Sequence, residues 1–123
     1  MRYLTFIRSS ESYRESPPPT ALMEAMGKFV EKSFKDGTLV DTGGLRPSND
    51  GVRVRLAGGK ITVTDGPFSE SKEVIGGWAI LKVDSKTEAI RIATELIELH
   101  RKHWPGFEGE SEVRPMFDPG MSP

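Results

Sequence analysis

The stretch VIGGWAILKVDSKTEAIRIATELIELHRKHWPG, residues 74–106, decides the fold, because it holds a strand, a helix start and a helix stop in one run. Residues 74–83 are a long apolar segment of the aromatic and branched types that suit a pleated, covered surface, and they predict a strand. Gly76 and Gly77 interrupt it, and paired glycines inside a strand predict a bulge or a close approach by another group. Ser85 with Glu88 makes a capping box, while Pro105 and Gly106 form a stop, so a helix runs from there to about residue 103. At 100° per residue Ala89, Ile92, Ala93, Leu96, Ile97 and Trp104 fall on one side and Arg91, Glu95, Glu98 and Lys102 on the other. His100 lies near the middle of the apolar stripe and His103 near its edge.

Working outward, RYLTFIR at 2–8 is apolar on both faces and predicts a central strand. Residues 9–19 combine turn formers with three prolines and predict a loop that leads into a helix. That helix starts at Thr20 as N-cap, buries Leu22, Met26, Phe29, Val30 and Ser33, shows Glu24/Lys28 and Glu31/Lys35 as outward pairs, and stops at Gly37. After TLVDT at 38–42 and the turn-forming GGLRPSNDG, the alternating runs VRVRL (52–56) and ITVT (61–64) predict a hairpin. Val52, Val54, Leu56, Ile61 and Val63 are expected on its buried side. Residues 65–73 are another loop, SEVRPMF at 111–117 is a last strand, and 118–123 is a flexible tail.

The order β, α, several β, α, β with two crossover helices implies an α+β fold: a ferredoxin-like sandwich with an added β-hairpin and both helices on one sheet face. The other face, including Leu4, Phe6 and part of the 78–83 strand, is then apolar and uncovered, and a homodimer is the simplest cover for it.

With 123 residues the chain holds one core and is expected to be a single domain over 1–123. Its 17 Lys+Arg against 18 Asp+Glu give a net charge of -1, with no basic run in either half, which argues against a nucleic-acid partner. The absence of Cys excludes thiolate catalysis and Cys-ligated metals and fits a reducing compartment. MRYLTFIRSS is too short and too charged for a signal-peptide core or a membrane span, so a cytoplasmic location without membrane association is expected. No phosphate-binding glycine loop, zinc-protease motif or nucleophile elbow occurs, and no cofactor is expected.

Asp65-Gly66-Pro67-Phe68, followed by Ser-Glu-Ser-Lys-Glu and then Val-Ile-Gly-Gly-Trp, resembles the signature of the DGPF proteins, a branch of the YCII-related family. The resemblance covers most of the chain, since the family also opens with a strand like MRYLTFIR and closes with one like EVRPMF. It implies a ferredoxin-like α+β fold that dimerises through its sheets into an α+β barrel with a cleft. It also implies a functional link to extracytoplasmic-function sigma factors, beside which such proteins are often encoded, and no general reaction. YCII relatives have been proposed to use a His-Asp pair. This chain has no His before residue 100, so that pair does not transfer.

The candidate site residues each carry a plain and a chemical reading. Asp65 caps its own turn, or presents a carboxylate at a strand end as a base. Phe68 anchors the loop in the core and lines the cleft. Lys72 and Glu73 are read as a solvated pair. Arg8 is a strand-end charge, or, with Arg114, an anion clamp at the cleft mouth. His100 is a satisfied core residue, or a proton carrier. His100 and His103 lack a third ligand at helical spacing, so no metal site is expected. Two functions follow: a small dimeric ligand-binding or regulatory module that takes a small polar or anionic ligand in a cleft lined by Phe6, Arg8, Asp65, Phe68, Trp78 and His100, or a cofactor-independent enzyme in which Asp65 or His100 moves a proton while Arg8 holds the substrate. A purely structural partner of another protein is a third class, which requires a further exposed apolar patch.

Overall fold

The computed structural model describes residues 1–14, 17–68 and 74–118. In chain order they form β1 (Arg2–Ser9), α1 (Thr20–Lys35), β2 (Leu39–Gly44), β3 (Val52–Ala57), β4 (Lys60–Asp65), β5 (Val74–Lys82), α2 (Lys86–His103) and β6 (Gly109–Pro115), with single 3-10 turns at Glu11–Arg14 and Ser48–Asp50. The reading of Lys72 and Glu73 and nearly all of the expected tail lie outside the described residues.

Four strands pair in the order β2-β5-β1-β6, every ladder antiparallel, and β3–β4 pairs only with itself. With the hairpin set aside this is the ferredoxin-like α+β topology, with β1 in the interior of the sheet. Alternation along β1 divides its side chains between the two sheet faces. Tyr3, Thr5 and Ser9 are buried on the helix side, opposite Leu81, Ala79 and Val74 of β5. Leu4, Phe6 and Arg8 point away from the helices and are only half-buried. The core joins Tyr3, Leu39, Leu81 and Val83 to Ala89 and Ile92 of α2, with Phe29 and Val30 of α1 packed against it. The expected irregularity in β5 is present: Ile7 pairs with Gly77 but Arg8 with Ile75, so Gly76 is the extra residue of a bulge.

α2 begins as its spacing predicts, with Ser85 Oγ accepting from Glu88 N–H at 3.2 Å. The box closes only by half, because the Glu88 carboxylate turns to the Arg91 guanidinium instead of returning to Ser85. α1 differs from expectation at its start: Thr20 is its first helical residue, and Pro19 precedes it as a cap without a side-chain hydrogen bond. Pro19 has the fixed φ of the residue before a helix, so the turn begins without help from a hydroxyl. Of the two expected pairs on α1, Glu31–Lys35 forms at 3.3 Å, and Glu24 and Lys28 make no contact among the described residues.

The hairpin requires the larger correction. Gly58 and Gly59, both at positive φ, form a two-residue turn that fixes Val54 opposite Val63 and Leu56 opposite Ile61. Val52, Val54, Leu56, Ile61 and Val63 share one face as expected, but that face is not buried: they are 57–72 % exposed. The two-stranded ribbon pairs with no other strand, and among the described residues nothing covers its apolar face. Phe68 is likewise outside the core cluster. It is half-buried against Gly51, under the Arg53 guanidinium at 3.9 Å from its ring centre.

Candidate functional site

A cavity of about 420 Å³ lies between the helix-facing side of the sheet and the two helices. β1, β2 and β5 supply its floor and α1 and α2 its walls, while Tyr13, Trp104 and Phe107 line one end. Its existence follows from small residues where the layers face each other: Gly44 and Gly77, ladder partners on the helix side of the sheet, and Ala93 on α2 leave space that larger side chains occupy in a packed core. No lining residue among those described carries a formal charge at neutral pH. The titratable ones are Tyr13 and His100.

Most lining hydroxyls are already satisfied. Thr42 donates to Trp78 O at 2.8 Å, Ser33 to Phe29 O at 2.8 Å and Thr5 to Ala79 O at 3.4 Å. Tyr13 donates to Gly106 O at 3.2 Å and accepts from Glu108 N–H at 3.3 Å, tying the 11–14 turn to the segment after α2. Its ring meets Trp104 edge-on and Phe107 at a tilt, centroids 5.6 and 4.9 Å away. Two buried polar side chains remain. Ser9 is 5 % exposed, and its hydroxyl makes no hydrogen bond among the described residues. His100 is 6 % exposed and uses only one of its nitrogens: Nδ1 lies 2.9 Å from Leu96 O. A carbonyl oxygen only accepts, so Nδ1 carries the hydrogen and Nε2 of the neutral ring presents a lone pair without a donor. Burial holds the imidazole below its ordinary pKa, against the pull of the Leu96 carbonyl. The helix register that placed His100 on the apolar stripe is thus the one observed.

The other sequence-derived residues are distributed around this cavity, not gathered in it. Phe6 and Trp78 border it from the sheet, yet they are a cross-strand pair on the side away from the helices, where the Trp78 indole lies across Gly43. Arg8 is on that same outer side, so the sheet stands between it and His100. Arg8 pairs with Glu110 at 3.7 Å and Glu112 at 3.5 Å, and Arg114 pairs with Glu112 as well. Carboxylates of β6 therefore already answer both guanidinium groups. Asp65 is exposed at the end of β4, away from the cavity lining, and its carboxylate accepts no hydrogen bond from the described residues, so it does not cap its turn. What closes the turn is backbone: Gly66 N–H donates to Gly51 O at 2.8 Å, and a Cβ on Gly66 meets Ser48 O at 1.8 Å. Gly66, Pro67 and Phe68 thus fasten the base of the hairpin to the 48–51 turn. Ser9 was missed by sequence reading, since a lone serine at a strand end gives no signal until its burial is known.

Among the described residues no cluster of His, Asp or Glu is placed to hold a metal ion, and no helix is long and apolar enough to cross a membrane.

The profile of the YCII-related domain matches residues 1–97. That span holds Ser9, Asp65, Gly66 and Phe68 and ends before His100 and Arg114. An uncharacterized protein of Rhizobium meliloti (strain 1021) is 29% identical over 104 residues, covering 83% of this chain and 80% of the relative. The strand order, the inserted hairpin with its Asp-Gly-Pro-Phe base and a match over most of the sequence agree, and the chain belongs to the YCII-related domain family.

Proposed function

We propose that this protein binds a small molecule in the cavity between its sheet and helices and does so as a homodimer. The observation that carries the binding reading is a pair of buried polar groups, Ser9 Oγ and His100 Nε2, that find no partner among the described residues, in a cavity whose other described lining groups are apolar or satisfied. Buried polar groups are normally hydrogen-bonded, and leaving one unmade costs about 1–3 kcal/mol, so such a pair in an open space marks a place where something else bonds. Binding is favoured over proton-transfer catalysis because His100 stands in the cavity without Asp65 or Arg8 beside it. The ligand expected is less polar than charge counting suggested, since no ionic side chain among the described residues faces it.

The dimer is supported by exposed area. The chain exposes 8531 Å², roughly 1,900 Å² more than the roughly 6,600 Å² usual for a monomer of its mass. A standard interface removes about 800 Å² from each partner, so one such contact fits within the excess. Two apolar faces lack cover: the hairpin stripe, and the outer sheet face with Leu4, Phe6, Trp78 and Ile80. Charged residues (Arg2, Asp41, Lys82, Glu112 and Arg114) border the second, in the way a polar rim surrounds an interface centre. A second copy of this chain offers both faces in return.

The binding reading is tested by a thermal-shift screen of uncharged aromatic compounds against the parent and Ala93→Leu. Ala93 lines the cavity from α2 and is 8 % exposed, so the larger side chain takes up cavity volume. Compounds that raise the parent's midpoint but not the variant's support the reading. Equal shifts in both proteins, or none in either, refute it.

A further inference from the structure

Resting on the proposed binding function, the arrangement of polar groups also narrows the ligand. Ser9 and His100 both line the cavity, and Phe107 lies near each of them. Phe107 connects them: its ring centre is 5.0 Å from that of His100, and the same ring lies against Gly109, which is Ser9's ladder partner on β6. Their bonding needs are complementary. His100 Nε2 only accepts, while the Ser9 hydroxyl both donates and accepts. A single group that donates to one and accepts from the other satisfies both, and a hydroxyl does this; a carboxylate has no hydrogen for Nε2, and an ether has none either. Tyr13, Trp104 and Phe107 line one end of the cavity with ring faces and edges, which favours a flat aromatic neighbour. The volume of 420 Å³ corresponds to about fourteen water molecules' share of liquid, the size of a one- or two-ring compound. Among the described residues no cation lines the cavity to offset the desolvation of an anion.

We infer that the cavity takes an uncharged, largely apolar molecule ending in a hydroxyl, a phenol or aryl alcohol, with that hydroxyl donating to His100 Nε2 and accepting from Ser9 Oγ.

The test compares 2-naphthol, 2-methoxynaphthalene and 2-naphthoate by calorimetric titration into the full chain. The expected result is one 2-naphthol per chain, the methyl ether about tenfold weaker for loss of its hydrogen bond, and no binding of the carboxylate where the naphthol saturates. In His100→Phe the naphthol falls to the affinity of the ether, and the ether is unchanged. Ser9→Ala, which removes one oxygen and leaves the packing in place, weakens the naphthol several-fold and serves if His100→Phe does not fold. As acid protonates His100 the lone pair is lost, so naphthol affinity falls at low pH while ether affinity does not; Tyr13 is the other titratable lining group, and its hydroxyl is engaged by Gly106 O and Glu108 N–H. Ether and naphthol binding equally, or naphthol affinity indifferent to both substitutions, overturns the hydroxyl assignment and leaves the binding reading standing. Failure of all three probes to bind the parent overturns the assignment, while the wider thermal-shift screen separately decides the binding reading.

Discussion

The exposed face of the hairpin gives the sharpest test of assembly. Val54 sits opposite Val63 in the middle of the stripe and is 69 % exposed in the single chain. Fully burying a side chain of this kind contributes about 1.5–3 kcal/mol, so covering what Val54 exposes in a dimer is worth about 1–2 kcal/mol. Val54→Asp forfeits that amount and also brings a charge into the contact, at an effective cost of several kcal/mol. Two-fold symmetry applies both losses twice, and dimer affinity should fall by at least about a thousandfold, equivalent to roughly 4 kcal/mol. The fold of a single subunit loses little, since substitutions at exposed positions usually stay within about 0.5 kcal/mol. Sedimentation velocity at micromolar concentration should show the parent at twice its 13.6 kDa chain mass and Val54→Asp at 13.6 kDa. Thr62→Asp, on the polar side opposite Arg55, should remain dimeric. A parent sedimenting at 13.6 kDa, or a dimeric Val54→Asp, refutes the reasoning.

Three further outcomes are expected. Because burial lowers the His100 pKa, between its folded value and about 6.5 the unfolded chain holds a proton that the folded one does not; stability is then greatest above that range and declines as pH falls from 7 toward 5, and denaturant titrations should show this slope reduced in His100→Phe. Asp36 and Glu88, held below the ordinary carboxylate range by Thr38 and Arg91, add losses only in a lower window as they take up protons. Gly66→Ala drives a methyl into Ser48 O and should cost about 3 kcal/mol or more, whereas Phe68→Ala, half-buried, should cost less than the 3–5 kcal/mol of a core phenylalanine; a Gly66→Ala midpoint equal to the parent's contradicts the close approach. Ser85→Ala should cost about 1 kcal/mol, less if the half-closed box matters little, and thermal melts of α2 ellipticity measure it.

Nearly all of the fold is legible in the sequence because its signals are local. The Ser85 cap, the Pro105-Gly106 stop, the Gly58-Gly59 turn and the glycine pair in β5 each fix an element from a few adjacent residues, and the apolar stripe of α2 then fixes which side His100 faces. What the sequence hides are facts set by distant partners. The alternating pattern of VRVRL shows that Val52, Val54 and Leu56 share a face, but the same pattern describes a face turned to the core and one turned outward. Arg8 and Arg114 look available until β6 brings Glu112 between them. Phe6 and His100 both belong to apolar runs, and only the two-residue period of β1 reveals that the sheet separates their side chains. Ser9 gains meaning only from being buried without a partner.

The place of the hairpin in the chain has one more consequence. β2 and β5, between which it is inserted, are themselves ladder neighbours, and Gly44 already stands opposite Gly77. The insertion is therefore a detachable cassette, joined at two adjacent points to a sheet that closes without it. Replacing residues 45–73 by a four-residue turn, which keeps Val74 and Ile75 on β1, shortens the connection about sevenfold and relieves about 2 kcal/mol of closure entropy. For the homodimer proposed above, the hairpin's share of the contact is written in a segment separate from the one that closes the sheet, and either is free to change while the other is kept.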